Sequence, residues 1–300
     1  MGELELIAAI RAALTDRGER TVRFSGDDAA VVRSRPLAVT SIDTVVEGTH
    51  FRLSTHAPGD VGWKALATAL SDLAAMGAEP GEAYVSLVLP EGFDGALELV
   101  RAMEELAGDA GVSIAGGDVA RGPALVVTVA VTGWADDEGA LVGRDGALPG
   151  QLVAVTGELG GSEAGRLELE AGSRDGAHVT RHLRPVPRLR EGVALARAGV
   201  SAMVDLSDGL ATDARHVADA SGVELRVSLD RLPRAAGVSA EEAAVGGDDY
   251  ELLVTVAPEL LDAAHSAAPL TVIGEVGAGK GLVLLGPDGP VDGLRGYEHT

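Results

Sequence analysis

No cysteine occurs among the 300 residues, which excludes disulfides, thiolate metal sites and cysteine nucleophiles together. Aromatic residues make up 3% of the chain against a hydrophobic total of 46%, so a core must be built from Ala, Val and Leu. Positive charge is scarce. Asp and Glu number 46 against 24 Lys and Arg, the formal net charge is −22, and the lysines are Lys64 and Lys280. An acid excess of that size repels phosphate backbones and anionic lipid, so nucleic acid and membrane are not expected partners. No run of ~18 uncharged apolar residues is present. The first residues read Gly-Glu-Leu-Glu, not a basic region followed by an apolar run, so neither a membrane span nor a signal peptide is expected. A reducing, cytoplasmic setting fits these absences.

What is present is an interleaving of helical and strand patterns. Leu4, Ile7, Ile10 and Leu14 recur at helical spacing and predict an opening amphipathic helix. Residues 37–42 read as a buried strand, 61–76 as a helix ended near Gly77, 83–89 as a strand and 96–107 as a helix. Residues 112–115 read as a short strand ending in Gly116-Gly117, and 124–133 as a long Val- and Thr-rich strand. The polar, glycine-rich segment 136–150 is expected to be a linker between domains at 1–135 and 151–300. In the second half, strands are expected at 152–156, 203–206, 223–229, 251–256 and 270–273, with a weak one near 281–284. Helices are expected after Ser162, at 188–198 and at 208–220. The fold class is therefore α/β, in two parts of similar size.

The chemistry lies in aspartates placed where such patterns change: Asp27 and Asp28 after Gly26, Asp43, Asp72, Asp118 after Gly116-Gly117, Asp205 and Asp208, and Asp248-Asp249. Any one of them is also what a turn would use, and Asp208 is placed as a helix N-cap would be. Asp72 is harder to explain so. It interrupts an apolar helical pattern, where an unpaired carboxylate is expensive to bury. With few lysines to balance them, the acids point to other cations. Oxygen ligands without sulfur suit Mg²⁺ or Ca²⁺. The EF-hand spacing is absent. Mg²⁺ takes one or two carboxylates and completes its shell with water and phosphate, so scattered aspartates suggest several Mg²⁺ ions bound with a polyphosphate. Residues 274–281 nearly match a Walker A loop, but Gly281 stands where Ser or Thr is needed and no long helix follows, so a turn is expected.

Taken in order, six segments resemble the thiamine-monophosphate kinase family, within the superfamily of aminoimidazole ribonucleotide synthetase. They are Ser41-Ile-Asp-Thr-Val-Val-Glu-Gly-Thr-His-Phe51, Lys64-Ala-Leu-Ala-Thr-Ala-Leu-Ser-Asp-Leu-Ala-Ala-Met-Gly-Ala78, Gly116-Gly-Asp-Val-Ala-Arg-Gly-Pro123, Arg181-His-Leu-Arg-Pro-Val-Pro-Arg188, Asp205-Leu-Ser-Asp-Gly-Leu210 and Gly246-Gly-Asp-Asp-Tyr-Glu-Leu252. The resemblance implies a homodimer pairing through the N-terminal half, a C-terminal α/β half, and ATP with several Mg²⁺ ions in a cleft between the halves. It implies Asp28, Asp43, Asp72, Asp118, Asp205 and Asp208 as metal ligands, with Asp27 a further candidate and Ser41 and Thr44 in support. Gly117, Asp118, Arg144 and Ser207 correspond to nucleotide contacts. His50, Asp248 and Tyr297 correspond to positions near thiamine monophosphate. The chain departs from the family at Ile42, where Thr or Ser is usual, at Ala69, where Asn is usual, and at Asp248, where Glu is usual.

The reaction so implied is phosphoryl transfer from ATP to a phosphate acceptor. A phosphate with a second pKa near ~6 is already anionic at neutral pH, so no general base is assigned, and alignment with charge neutralisation carries the catalysis. Two other readings remain. Another superfamily ATP-dependent synthetase is one, although the selenophosphate and hydrogenase-maturation relatives would want a cysteine. A catalytically inactive metal- or nucleotide-binding homologue is the other.

Overall fold

The computed structural model describes residues 2–297, and the chain divides into two units. The first comprises residues up to Leu73 together with Glu79–Glu138; the second comprises Ala74–Ala78 and everything from Gly139 on.

Unit 1 is a sheet covered on one face by helices. It contains α1 (Glu3–Ala13), β1 (Thr21–Arg23), β2 (Val31–Val32), β3 (Leu37–Val46), α2 (Pro58–Ala75, its last residues in unit 2), β4 (Glu79–Leu89), α3 (Ala96–Ala110), β5 (Ser113–Arg121) and β6 (Val126–Ala135). The four-stranded sheet runs β3-β6-β4-β5, antiparallel except for the β4/β5 pair, which α3 joins by a crossover. Alternation decides the faces. Val127, Val129 and Val131 of β6 are buried while Thr128, Ala130 and Thr132 between them are partly open. Helix α2 is buried on nearly every side, and half of its residues are Ala, Leu or Val. It meets α3 closely at Gly62, where any side chain would overlap the Leu99 carbonyl. Helix α1 departs from its expected packing: Leu4 is 81% exposed, and only Leu6 of its apolar residues is buried.

Unit 2 is built on β7 (Leu152–Thr156), β8 (Ala202–Asp205), β9 (Glu224–Ser228), β10 (Leu252–Val256), β11 (Leu270–Gly277), β12 (Gly281–Gly286) and β13 (Gly289–Val291). These form a seven-stranded sheet in the order β13-β12-β9-β11-β7-β10-β8, antiparallel apart from the β12/β9 pair. Helices α4 (Gly161–Glu170), α5 (Ala177–Leu183), α6 (Leu189–Arg197), α7 (Leu210–Ser221), α8 (Ala240–Val245) and α9 (Leu261–Ala267) complete it. The core sets Val153, Val155, Val204 and Leu253 of the sheet against Leu210, Ala214 and Val217 of α7, an aliphatic core as the composition required. The Walker-like residues 274–281 lie in β11, a turn and the start of β12, so no helix follows them. Among the described residues no helix is long and apolar enough to cross a membrane.

Two strands run further than their apolar cores. β3 continues to Val46 and β5 passes through Gly116-Gly117 to Arg121, so Asp43 and Asp118 sit inside strands and not at their ends. Ladder pairing with β6 and β4 outweighs the weak strand preference of Asp and Gly.

Candidate functional site

In unit 1, β3 alternates Ser41 and Asp43 toward the helix-covered face with Ile42 and Thr44 on the open one. Asp72, one turn from the end of α2, accepts a hydrogen bond from the Ser41 hydroxyl, which answers its placement in an apolar helix. Strand register lines up Thr44, Thr128, Ser86 and Asp118 as one row across the sheet. The Thr44 and Thr128 hydroxyls are 2.9 Å apart. Thr44 and Asp118 therefore share the open face, opposite Ser41, Asp43 and Asp72.

β5 is an outer strand, and a cavity of 640 Å³ wraps its edge. Asp27, Asp28 and Asp118 line it, with Gly116, Gly117 and Arg11; Ile7 and Ile10 of α1, and Leu14 just after it, supply an apolar wall. The exposed face of α1 is thus a cavity wall. Gly26 has φ +117°, and the Arg11 guanidinium occupies the space a Cβ there would need. At Gly117 a side chain would overlap the Val85 carbonyl. The Arg23 guanidinium, and then the Asp28 N–H, hold the Asp27 carboxyl below its usual pKa. His50 is tied to its own turn: its Nδ1 accepts the Val46 N–H at 3.1 Å.

In unit 2, Asp205 ends β8 at 3% exposure, and residues 206–209 turn into α7. The helix is capped by Gly209, at φ +105°, and not by Asp208 as the sequence suggests. A Cβ at Gly209 would strike the Val245 carbonyl, so glycine alone fits that position. Asp213, in the first turn of α7, accepts the Asp208 N–H at 3.1 Å and is 2% exposed. Its carboxyl is pushed up to about 8, first by burial and then by the charges of Asp205 and Asp208; the Arg144 guanidinium opposes the shift. Arg144 itself is exposed, and its carbonyl accepts the Ser221 hydroxyl at 2.8 Å. The sequence reading missed Asp213. The signal was there, for it interrupts the apolar stripe of Leu210, Ala214 and Val217 as Asp72 interrupts that of α2.

The loop 246–250 docks on this turn. The Asp248 N–H donates to the Ser207 carbonyl at 2.8 Å and the Tyr250 N–H to the Leu206 carbonyl at 2.9 Å. Asp248 and Tyr250 both hold left-handed backbone, φ +63° and +51°. Such non-glycine residues cost about 1–3 kcal/mol each and persist where surroundings force them. The C-terminal tail arrives at the same place. The Tyr297 N–H donates to the Asp208 carbonyl at 2.8 Å and the Gly296 N–H to Thr212 Oγ1 at 3.0 Å. Unit 2 therefore brings Asp205, Ser207, Asp208, Asp248 and Tyr297 together around one turn.

Two glycine- or arginine-rich stretches do not serve as open anion sites. The N-terminus of α4 is filled by Asp249, which accepts the Gly160 N–H at 2.5 Å and the Ser162 N–H at 3.2 Å. Burial raises that carboxyl to about 6 against the pull of Arg181 and the two N–H groups. Glu251, 1% exposed, takes Arg188 in a fork at 2.8 and 2.6 Å, Arg181 at 3.0 Å and the Thr156 hydroxyl at 2.6 Å. Residues 181–188 thus turn two arginine heads inward.

Among the described residues no group of three or more His, Asp or Glu side chains could hold a metal ion unaided. The donors are hard oxygens in small sets, which suits Mg²⁺ completed by water and phosphate and does not suit a closed cage. The mutual repulsion recorded at Asp213 is the kind a divalent cation relieves.

Comparison with known proteins places these features in context. Residues 26–135 match the AIR synthase related protein N-terminal domain, and residues 149–286 the corresponding C-terminal domain. The chain is 40% identical to thiamine-monophosphate kinase of Salmonella typhimurium over 300 residues, covering 91% of this chain and 90% of that protein. It is similar to the crystal structure of thiamine-monophosphate kinase from Stenotrophomonas maltophilia, with a TM-score of 0.85, 34% identity and coverage of 95% and 96%. The solved complex of AaThiL with AMPPCP and TMP superposes with a TM-score of 0.79 at 28% identity, over 99% of this chain and 97% of that one.

Proposed function

This chain belongs to the AIR synthase-related family and, within it, to the thiamine-monophosphate kinases, and from that premise we propose how its own residues serve the reaction. It is an ATP-dependent kinase that converts thiamine monophosphate to thiamine diphosphate. The metal is Mg²⁺, which when bound neutralises donor and acceptor phosphates. In unit 1, Asp72 with Ser41 and Asp43, and separately Asp27, Asp28 and Asp118, would hold it. In unit 2, Asp205 and Asp208 would hold it. The observation that carries this reading is the gathering of buried Asp205 and Asp213 with Asp208 around one turn, where Asp213 accepts the Asp208 N–H at 3.1 Å.

The protein's part is to position and to balance charge. Gly117 keeps β5 close to β4, so that nucleotide phosphate can approach the backbone at the cavity. Arg144 and Ser207 contact the nucleotide, Arg144 as a fixed fork of donors. Asp248 faces the cationic thiamine moiety, and Tyr297, tethered on Asp208, covers it. His50 lends its turn to the substrate side of unit 1. No residue acts as general base, because the acceptor phosphate is already anionic.

A second copy of the chain covers the open face of the unit 1 sheet. In support, Ile42 is 66% exposed mid-strand on that face. A monomeric mass by light scattering would reject the dimer.

The test of function is incubation with ATP, Mg²⁺ and thiamine monophosphate. Thiamine diphosphate is expected from the parent chain, and none from Asp72→Asn or Asp118→Asn with the fold intact. Absence of product from folded parent protein would sink the kinase reading. Full activity in either variant would remove that residue from the ligand set.

A further inference from the structure

The chain is clamped immediately after Asp248. Asp249 is drawn inward to the N-terminus of α4, and Glu251 is locked by Arg181, Arg188 and Thr156. The backbone of Asp248 and Tyr250 is bonded to Ser207 and Leu206. Just ahead of these anchors stands Asp248, left-handed in backbone and half-buried. Asp248 is a short acid, and the fixed backbone does not by itself choose its rotamer. The Tyr250 hydroxyl contributes to that choice: it donates to Asp248 Oδ1 at 2.9 Å from a side chain that is 3% exposed. The second left-handed residue is thus the one that aims the ring back at the first.

We infer that Tyr250 is a positioning residue for substrate recognition, holding the Asp248 carboxylate toward the cationic heteroaromatic part of thiamine monophosphate. This rests on the substrate role proposed for Asp248. The hydroxyl does two things there. It fixes one carboxylate oxygen, and it leaves the other to meet a cation.

The test is Tyr250→Phe, which keeps the ring in the core and removes only the hydroxyl, with Asp248→Asn and the double variant beside it. A hydrogen bond to a charged group is worth about ten- to a hundredfold in binding. Tyr250→Phe is expected to raise KM for thiamine monophosphate by about tenfold and to leave KM for ATP and the melting temperature as in the parent. In the Asp248→Asn background the same change should add little, since the two act as one unit. Titration of thiamine monophosphate onto each variant reads the contrast without turnover. An unchanged KM for thiamine monophosphate, an equal rise in KM for ATP, or a full additional penalty in the Asp248→Asn background would overturn the inference while leaving the kinase assignment standing. A parent chain that neither binds nor phosphorylates thiamine monophosphate would overturn both.

Discussion

Asp213→Asn should make the metal-free chain more stable, and more so as pH rises. Asp213 has an ordinary pKa of 3.8 and about 8 in the folded chain. A raised acid favours the fold while protonated. Its contribution is fully present below pH 3.8 and is lost as pH climbs toward 8. Over the roughly three pH units from 3.8 to neutrality, at about 1.4 kcal/mol each, the ionisable carboxyl costs about 4 kcal/mol. Asn has the same shape, keeps an acceptor for the Asp208 N–H and cannot ionise. Native-state hydrogen exchange of the α7 amides, with EDTA present and intrinsic rates corrected, reads unit 2 directly. Protection in the variant should exceed that in the parent by about 4 kcal/mol at pH 7 and by about 1.6 kcal/mol at pH 5. Added Mg²⁺ should narrow the gap, because the cation relieves the same repulsion in the parent. Equal protection at pH 7, or a gain that does not change with pH, would refute the argument.

Glu251→Ala leaves Arg188 without its buried partner and Arg181 with Asp249 alone, and is expected to cost about 3–5 kcal/mol, seen as a lower melting temperature of unit 2. Gly296→Ala places a Cβ against the Asp208 carbonyl and should release Tyr297; steady-state kinetics should then show a higher KM for thiamine monophosphate with KM for ATP little changed. Gly117→Ala pushes β5 off the Val85 carbonyl and should weaken ATP binding in a titration, with the α7 amides of unit 2 as protected as before.

Residues with a strong period were readable before the structure. The stripe of α2, the Val alternation of β6 and the strands of the unit 2 core all follow from apolar spacing. The short helices α5, α8 and α9 were not, for six or seven residues offer under two turns of pattern. At α5 the cost was functional as well. Without a helix at Ala177–Leu183, nothing told that Arg181 points back at Glu251 rather than outward. The aspartates were legible as a set, because acids in apolar or glycine-rich settings stand out. Their grouping was not. That Asp72 meets Ser41, that Asp118 shares a row with Thr44, and that Asp208 is bonded by Asp213 instead of capping α7 are outcomes of register and turn geometry. Spacing along the chain does not encode them.

Asp249 in the N-terminus of α4 acts as a built-in stopper. A kinase whose donor, acceptor and products all carry phosphate is surrounded by anions that a bare helix end would welcome. By filling that berth with its own carboxylate, the chain denies them a place to rest where no chemistry follows. Orthophosphate or ADP in the medium then gains no foothold there.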